Sequence, residues 1–212
     1  MKVHREMVVR AGVELLQEVG LEQLTLRRLA AHLGIQAPTL YWHFKSKQDL
    51  IDAMATMILG EGAERLVPKK RSGDWRVWMN AYGNGLRELL LEYRDGARVV
   101  EGSRLQDTVY MEATERVAAV LMEAGFTLRE AVVVFSAVYT FTIGFVTEEQ
   151  AVYPKPGERS AAYDLEKRKE WLDPKRLPLM RQAGGVLLDR FDLRFKDSLR
   201  MILRGAEVER EP

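Results

Sequence analysis

From Thr25 to Lys47 the chain reads Thr-Leu-Arg-Arg-Leu-Ala-Ala-His-Leu-Gly-Ile-Gln-Ala-Pro-Thr-Leu-Tyr-Trp-His-Phe-Lys-Ser-Lys, and this stretch limits the fold more than any other. Thr25 carries a hydroxyl suited to capping a helix start. Leu26, Leu29, Ala30 and Leu33 fall at i, i+3, i+4 and i+7, which puts one apolar stripe on one helical face. Gly34 ends that helix where a left-handed backbone is needed. Ile35 then drops into the core, and Pro38 occupies the first turn of a second, short helix, where proline is tolerated. Two short helices around a glycine turn, the second presenting polar and aromatic side chains, outline a helix-turn-helix that reads the DNA major groove.

The charge pattern agrees. No Asp or Glu occurs between Gln23 and Gln48, whereas Arg27, Arg28, Lys45 and Lys47 are basic. The whole chain carries 32 Lys+Arg against 31 Asp+Glu, so this is a local patch and not a drift in composition. Phosphate backbones attract such patches in a salt-dependent way. A charge run taken alone is more often a solvated face; the turn and the aromatic residues beside it favour DNA. Tyr41, Trp42, His43 and Phe44 cannot all point inward from one short helix. Leu40 and Phe44, four apart, form the inward pair, which leaves Tyr41 and His43 outward and Trp42 partly covered.

Beyond this unit the apolar period is helical almost throughout, with no convincing period-two strand and no internal repeat. A first helix is predicted over 5–19, with Val8, Val9, Ala11, Gly12, Leu15 and Leu16 inward and Gly20 as its stop. Ser46 caps a helix that runs from Lys47 toward Leu66. A polar break at 68–74 is the best internal boundary, so the units expected are 1–46 (DNA-reading), 47–67 (connecting helix) and 68–212 (ligand binding and dimerisation). Helices follow at about 75–93, 95–102, 107–124 and 127–152, with two more at 178–191 and 193–209. The stretch 153–175 holds three of the seven prolines and eleven charged residues, which predicts a mobile excursion. The expected fold class is all-α.

Residues 1–50 resemble the DNA-binding domain of the TetR family of bacterial repressors, whose recognition-helix signature is similar to the run from Pro38 to Lys47. The remainder resembles the tetracycline-repressor branch of that family through Tyr93-Arg94-Asp95-Gly96-Ala97-Arg98-Val99, Gly125-Phe126-Thr127-Leu128-Arg129, Ser136-Ala137-Val138 and Phe141-Thr142-Ile143-Gly144. By this resemblance Arg27 reads a guanine, an Arg–guanine pair being worth about 1–3 kcal/mol of discrimination. Thr39 and Tyr41 match positions that touch bases or thymine methyls, and Trp42, His43 and Lys47 match backbone contacts. Ala37 replaces an adenine-reading glutamine, so operator preference should differ. The candidate DNA-contacting set is Thr25, Arg27, Gln36, Ala37, Pro38, Thr39, Tyr41, Trp42, His43 and Lys47.

The resemblance also implies an effector pocket, and there the departures are larger. In the tetracycline-repressor branch a magnesium–drug chelate is held partly by two histidines; Val100 and Thr140 stand in their places, and only the carboxylate Glu148 remains. Magnesium needs oxygen or nitrogen donors in near-octahedral geometry, and valine supplies neither. Tyr82, Leu86 and Arg116 replace an asparagine, a phenylalanine and a glutamine. Glu64 lies near the position of a drug-binding histidine. Ser103 and Arg104 are kept in kind, while Leu105 replaces a proline. With Phe135, Tyr139 and Phe141, this set suggests an apolar, aromatic cavity with Arg116 and Glu148 as polar anchors. Taken singly, each apolar member reads equally as ordinary bundle core.

No nucleophile-elbow, P-loop, dinucleotide or metal-cluster motif is present, and His4, His32 and His43 are the only histidines, so no enzyme activity, metal or cofactor is expected. The chain has no cysteine, no run of 18 apolar residues and no signal-peptide core, which leads to the expectation of a cytoplasmic protein without a membrane span. The helix from Thr127 and the last helix, with Leu193, Phe195, Leu199, Ile202, Leu203 and Ala206, are rich in apolar residues; the resemblance implies a four-helix bundle across a two-fold axis. The expected function is a homodimeric repressor that binds a palindromic double-stranded operator and is released by a small lipophilic or aromatic ligand, not by magnesium-tetracycline. The alternatives are a ligand-independent DNA-binding regulator and a helical protein-interaction module.

Overall fold

The computed structural model describes residues 4–68, 73–155 and 157–208; most of the expected break at 68–74 falls outside them. Helix α1 spans Arg5–Gln23 and buries Val8, Val9, Ala11, Gly12, Leu15 and Leu16, the face expected from the sequence. Gly20 interrupts it with φ 76° and ψ 167°, after which helical bonding resumes for a last turn. Helix α2 (Leu26–His32) starts where the Thr25 hydroxyl accepts the Arg28 amide, and Gly34 takes φ 65° in the turn that follows. Helix α3 (Ala37–Tyr41) is only five residues long, and Leu40 and Phe44 below it are fully buried. Ser46 Oγ accepts the Asp49 amide to start α4 (Lys47–Gly62), which tightens into a 3-10 turn over Ala63–Leu66.

The body is built around α5 (Trp75–Leu91) and α8 (Leu128–Val152), packed on each other, with α6 (Gly96–Val100) and α7 (Val109–Glu123) between. Thr127 and Glu130 close a reciprocal capping box at the start of α8. The 3-10 turn after α4 lies so close to α5 that a Cβ on Gly85 would stand 2.2 Å from the Arg65 carbonyl oxygen. Only glycine permits that approach, and it locks the lower end of α4 to the body. One continuous apolar cluster runs from Val8 in α1 to Leu203 near the C-terminus.

Two sequence expectations change here. The stretch 153–175 is not an unstructured excursion but contains a 3-10 turn (Ala161–Tyr163) and helix α9 (Leu165–Trp171), and the helix expected over 178–191 divides into α10 (Pro178–Gln182) and α11 (Gly184–Leu188) before α12 (Phe191–Val208). Local caps explain this: Asp164 accepts the Lys167 amide, and Arg168 and Arg181 bond carbonyls across the fold-back, which composition alone does not reveal. Second, α8 is long and apolar enough, by length and composition alone, to cross a membrane, contrary to the expectation that no such run exists. Its Ser and Thr residues hide this in a residue count, because Ser136, Thr140, Thr142 and Thr147 return their hydroxyls to carbonyls one turn back. One side of α8 packs on α5, α6, α7 and α12, as a core helix does.

Between α8 and α12 the aromatic rings of Phe141, Phe145, Phe191 and Phe195 stack edge and face. Beside them Arg87 of α5 donates two hydrogen bonds to Glu149 of α8 (2.9 and 2.7 Å) and pairs with Asp192 of α12 at 2.8 Å. The α12 residues Phe195, Leu199 and Leu203 serve this internal core, so less of its apolar surface is spare than the sequence suggested. Leu193 and Met201 on α12, and Leu128, Val132 and Val133 on α8, remain more than half exposed.

Candidate nucleic-acid interface and effector cavity

The short α3 cannot bury its own far side, and that places the candidate reading residues at the surface. Trp42 is 89% exposed, so the expectation that it is partly covered is corrected: Leu40 and Phe44 fill the space beneath, and a five-residue helix has no second buried face. Tyr41 is exposed, whereas His43 is half-buried instead of fully outward. Thr25, Arg27, Gln36 and Pro38 are exposed, and Ala37 and Thr39 half-buried. Among the described residues Arg27 makes no side-chain hydrogen bond or ion pair. Arg28, by contrast, is held by Gln23 through its side-chain oxygen at 2.6 Å. Lys47 is engaged as well, its ammonium donating to the Leu21 carbonyl at 2.7 Å. Neighbouring acids are occupied: Glu22 pairs with Arg98, and Asp49 accepts the Lys45 amide while facing Arg5. The arrangement combines exposed aromatic rings at Tyr41 and Trp42 with a guanidinium, that of Arg27, unpaired among the described residues, all within a stretch (24–47) that holds no acidic residue, which suits a phosphate-flanked groove.

Two sets of bonds join this unit to the body. After the Gly20 interruption, the Leu21 amide donates to Asp95 Oδ2 at 2.8 Å. Gln17 bonds both the Glu92 carbonyl and the Arg94 amide, and Arg94 donates to the Glu18 carbonyl. On α4, the Asp52 carboxylate, 2% exposed as a residue, accepts the Arg104 amide and the Gln48 side chain. Thr56 accepts the Gln106 amide at 3.0 Å. The first set grips the chain just before α6 and the second just after it. The sequence singles out Arg104 for the effector pocket and places Arg94 and Asp95 in a resembling run, but it reveals none of these pairings, which join residues 50 or more positions apart; only Asp95, in its Asp-Gly turn with φ 56°, carries a local signal.

The expected effector residues divide into three groups. Tyr82, Leu86 and Val100 are buried and Phe135, Tyr139, Phe141 and Leu105 half-buried; of these Phe135 lies against Tyr82, whereas Phe141 belongs to the ring stack with Phe145 and Phe195. Side chains fill this space: the Tyr82 hydroxyl meets that of Tyr110 at 2.6 Å, and the Tyr82 ring lies 4.7 Å from Phe135. Burial pushes the hydroxyl pKa of both tyrosines upward. Tyr110 was not singled out from the sequence, where it reads as one apolar position of α7. A second group faces away. Arg116 pairs with Glu64 at 2.8 Å on the surface, and Arg104, with its side chain 86% exposed, reaches only Asp52. Ser103 donates to the Val99 carbonyl and Thr140 to that of Ser136, and Thr140 is exposed. Val100 offers no donor atom and the Thr140 hydroxyl is turned outward, so these positions do not fit a divalent cation. Third, Glu148 lines a separate cleft of about 660 Å³ formed by the end of α8, α9 and the start of α12.

Residues 8–54 match the family profile described as bacterial regulatory proteins, tetR family, and residues 67–210 match that of the tetracyclin repressor-like C-terminal domain. The class D tetracycline repressor protein of Escherichia coli is 37% identical over 209 residues, covering 98% of this chain and 91% of the relative. The fold is similar to that of a possible TetR family transcriptional regulator from Streptomyces coelicolor A3(2), with a TM-score of 0.85, 32% identity, and 98% of this chain and 100% of that one covered. It is also similar to a variant TetR from Acinetobacter baumannii AYE in complex with minocycline, with a TM-score of 0.75, 31% identity and 100% of both chains covered.

Proposed function

The chain belongs to the tetR family of bacterial regulatory proteins, and on that premise we propose that it is a repressor that binds a palindromic operator as a homodimer and leaves it when a small lipophilic or aromatic ligand binds. The observation that carries the DNA half of this reading is an exposed Arg27, without a side-chain partner among the described residues, together with an 89% exposed Trp42, both within a stretch (24–47) that holds no acidic residue. Side chains held out to water in this way have no packing role to explain them. Arg27 reads a base, Thr39 and Tyr41 touch base edges, Thr25, Gln36, Ala37, Pro38, Trp42 and His43 shape the surrounding contact, and Lys47 braces the head through the Leu21 carbonyl instead of binding phosphate. Residues 1–46 serve as the reading head, 47–67 as the connector, and 68–212 as the effector and dimer unit. The exposed Leu128, Val132 and Val133 of α8, with Leu193 and Met201 of α12, supply the apolar contact across the two-fold axis.

The effector acts between α5, α6, α7 and α8, where Tyr82, Leu86, Val100, Phe135 and Tyr139 give apolar walls, with the Arg116–Glu64 pair at the rim. Side chains fill this space, so entry has to displace α6 or α7. Because α6 is gripped on one side by bonds to the reading head and on the other by bonds to the connector, its displacement tilts the head away from the groove. A ligand must favour the non-binding state to do this, and a thousandfold preference corresponds to about 4 kcal/mol. Magnesium-tetracycline is a poor candidate, because Val100 and Thr140 offer the ion nothing. The test is a binding titration of the purified protein on a palindrome from its own upstream region and on a shuffled duplex, across a range of salt. Equal affinity for both duplexes would refute the repressor reading, and an Arg27→Ala variant with unchanged sequence preference would refute the assignment of base reading to Arg27.

A further inference from the structure

The cleft under α9 carries chemistry that neither DNA reading nor dimerisation uses. It encloses about 660 Å³, within the range of small-molecule sites. Its floor is Phe191 and the last turns of α8, and Trp171 of α9, 83% exposed, stands at its edge. On α12, Arg194 faces it. The guanidinium is clamped between the rings of Phe145 and Phe191, with 4.8 Å to each centroid, and the side chain is only 19% exposed. Its Nε and Nη2 are nonetheless buried without a hydrogen-bond partner among the described residues. The nearest carboxylate, Glu148, stops 3.6 Å from Nη2, outside hydrogen-bond range, and is itself 70% exposed. Lys167 and Arg168 add positive charge from the roof, and Asp164 is occupied in capping α9.

A buried cation with two unmet donors on the same edge, held rigid by stacked rings inside an apolar cleft, is half of a recognition site. The missing half is a planar anion, because Nε and Nη2 form the fork that a carboxylate accepts side by side. We propose that this cleft binds an amphipathic aromatic carboxylate, its anionic head on Arg194 and its ring system between Phe191 and Trp171. Binding displaces the weakly held Glu148 into solvent. The site is distinct from the Tyr82 space and goes beyond the repressor reading.

The test is calorimetric titration of the full chain without DNA, using 2-naphthoate and the neutral, nearly isosteric 2-naphthamide. The acid should saturate one site per chain and bind at least tenfold more tightly than the amide. Arg194→Met should abolish that preference while still binding the amide, which shows that the cleft is intact. Trp171→Ala, a change at an exposed position, should weaken both ligands. Glu148→Gln, also at the surface, should tighten the acid at least threefold by removing its competitor, and it serves as the deciding variant if Arg194→Met fails to fold. No saturable binding of the acid up to millimolar concentration overturns the proposal. So do equal affinities for the two ligands, or an acid preference that survives the loss of Arg194 or is unmoved by Glu148→Gln. These titrations contain no DNA, so their failure leaves the operator-binding experiment untouched.

Discussion

Replacing Arg87 by methionine keeps most of the volume of the side chain and deletes its charge, which makes it a sharp test of how the body holds together. Arg87 and Glu149 each have only 11% of their side chain exposed, and they share two hydrogen bonds of 2.7 and 2.9 Å. Burial alone lowers the guanidinium pKa, yet its bonds to Glu149 and Asp192 raise it on balance, so Arg87 stays charged. Removing one member of a buried pair leaves the other charged and unsolvated, which costs about 3–5 kcal/mol. The second partner contributes little, because Asp192 is 78% exposed and water screens it; Asp192→Ala should cost under about 1 kcal/mol. For a chain of this size, the Arg87→Met penalty corresponds to roughly a 6–20 °C fall in melting temperature. Arg87→Met with Glu149→Leu should recover most of it, since an apolar pair of similar volume leaves no stranded charge. Urea unfolding followed by circular dichroism, at one fixed protomer concentration, measures all four proteins. An Arg87→Met loss below about 1 kcal/mol, or a double variant no better than the single, would refute the account of a stranded carboxylate.

The raised pKa values of Tyr82 and Tyr110 mean that the folded state holds protons the unfolded chain has lost. Their contribution is fully present below about pH 10, the ordinary tyrosine value, and is lost as pH rises toward the raised folded values; Tyr82→Phe with Tyr110→Phe should flatten that alkaline decline in melting temperature. Gly85→Ala should destabilise by roughly 1–3 kcal/mol or more, because the new methyl meets a backbone oxygen that cannot swing aside; an unchanged melting temperature would contradict the close approach of α5 to the 3-10 turn. Thr25→Ala should cost about 1 kcal/mol, visible as faster amide exchange confined to α2 and the turn. Because the Lys47 ammonium is committed to the Leu21 carbonyl, Lys47→Ala should lower stability and leave the salt slope of DNA binding nearly unchanged, whereas Lys45→Ala should reduce that slope by about one.

Features coded within one helical turn were readable from the chain alone. The Thr25 and Ser46 caps, the left-handed Gly34, the inward pair Leu40 and Phe44 and the buried face of α1 each depend on residues a few positions apart. Trp42 was misjudged because aromatic residues are usually buried, and helix length, which decides the matter here, is poorly set by sequence. The order within 153–175 escapes the sequence for a related reason. Charge and proline suggest solvation, but that segment is organised by caps and by arginines reaching carbonyls across a fold-back. The Arg87–Glu149 pair and the grip of Asp95 on Leu21 join residues 62 and 74 positions apart. No periodicity carries such pairings. The effector region was legible as composition but not as shape, since an apolar set such as Tyr82, Leu86 and Val100 reads the same whether it surrounds a space or fills one.

The interruption at Gly20 has a consequence for how portable the reading head is. A regular helix would spend the Leu21 amide on its own backbone. The kink releases it, and Asp95 of the body takes it, while a Cβ on Gly20 would stand 3.0 Å from both Arg94 and Asp95. The head is thus not a free-standing plug: its socket is written into the turn between α5 and α6, some seventy residues downstream. Grafting residues 1–46 onto the body of a relative should give a working hybrid only if Asp95 and Arg94 have counterparts there. A mismatched graft would fold and still reach DNA, but its head would be loosely seated, and a signal from the body would then turn the base without turning the blade.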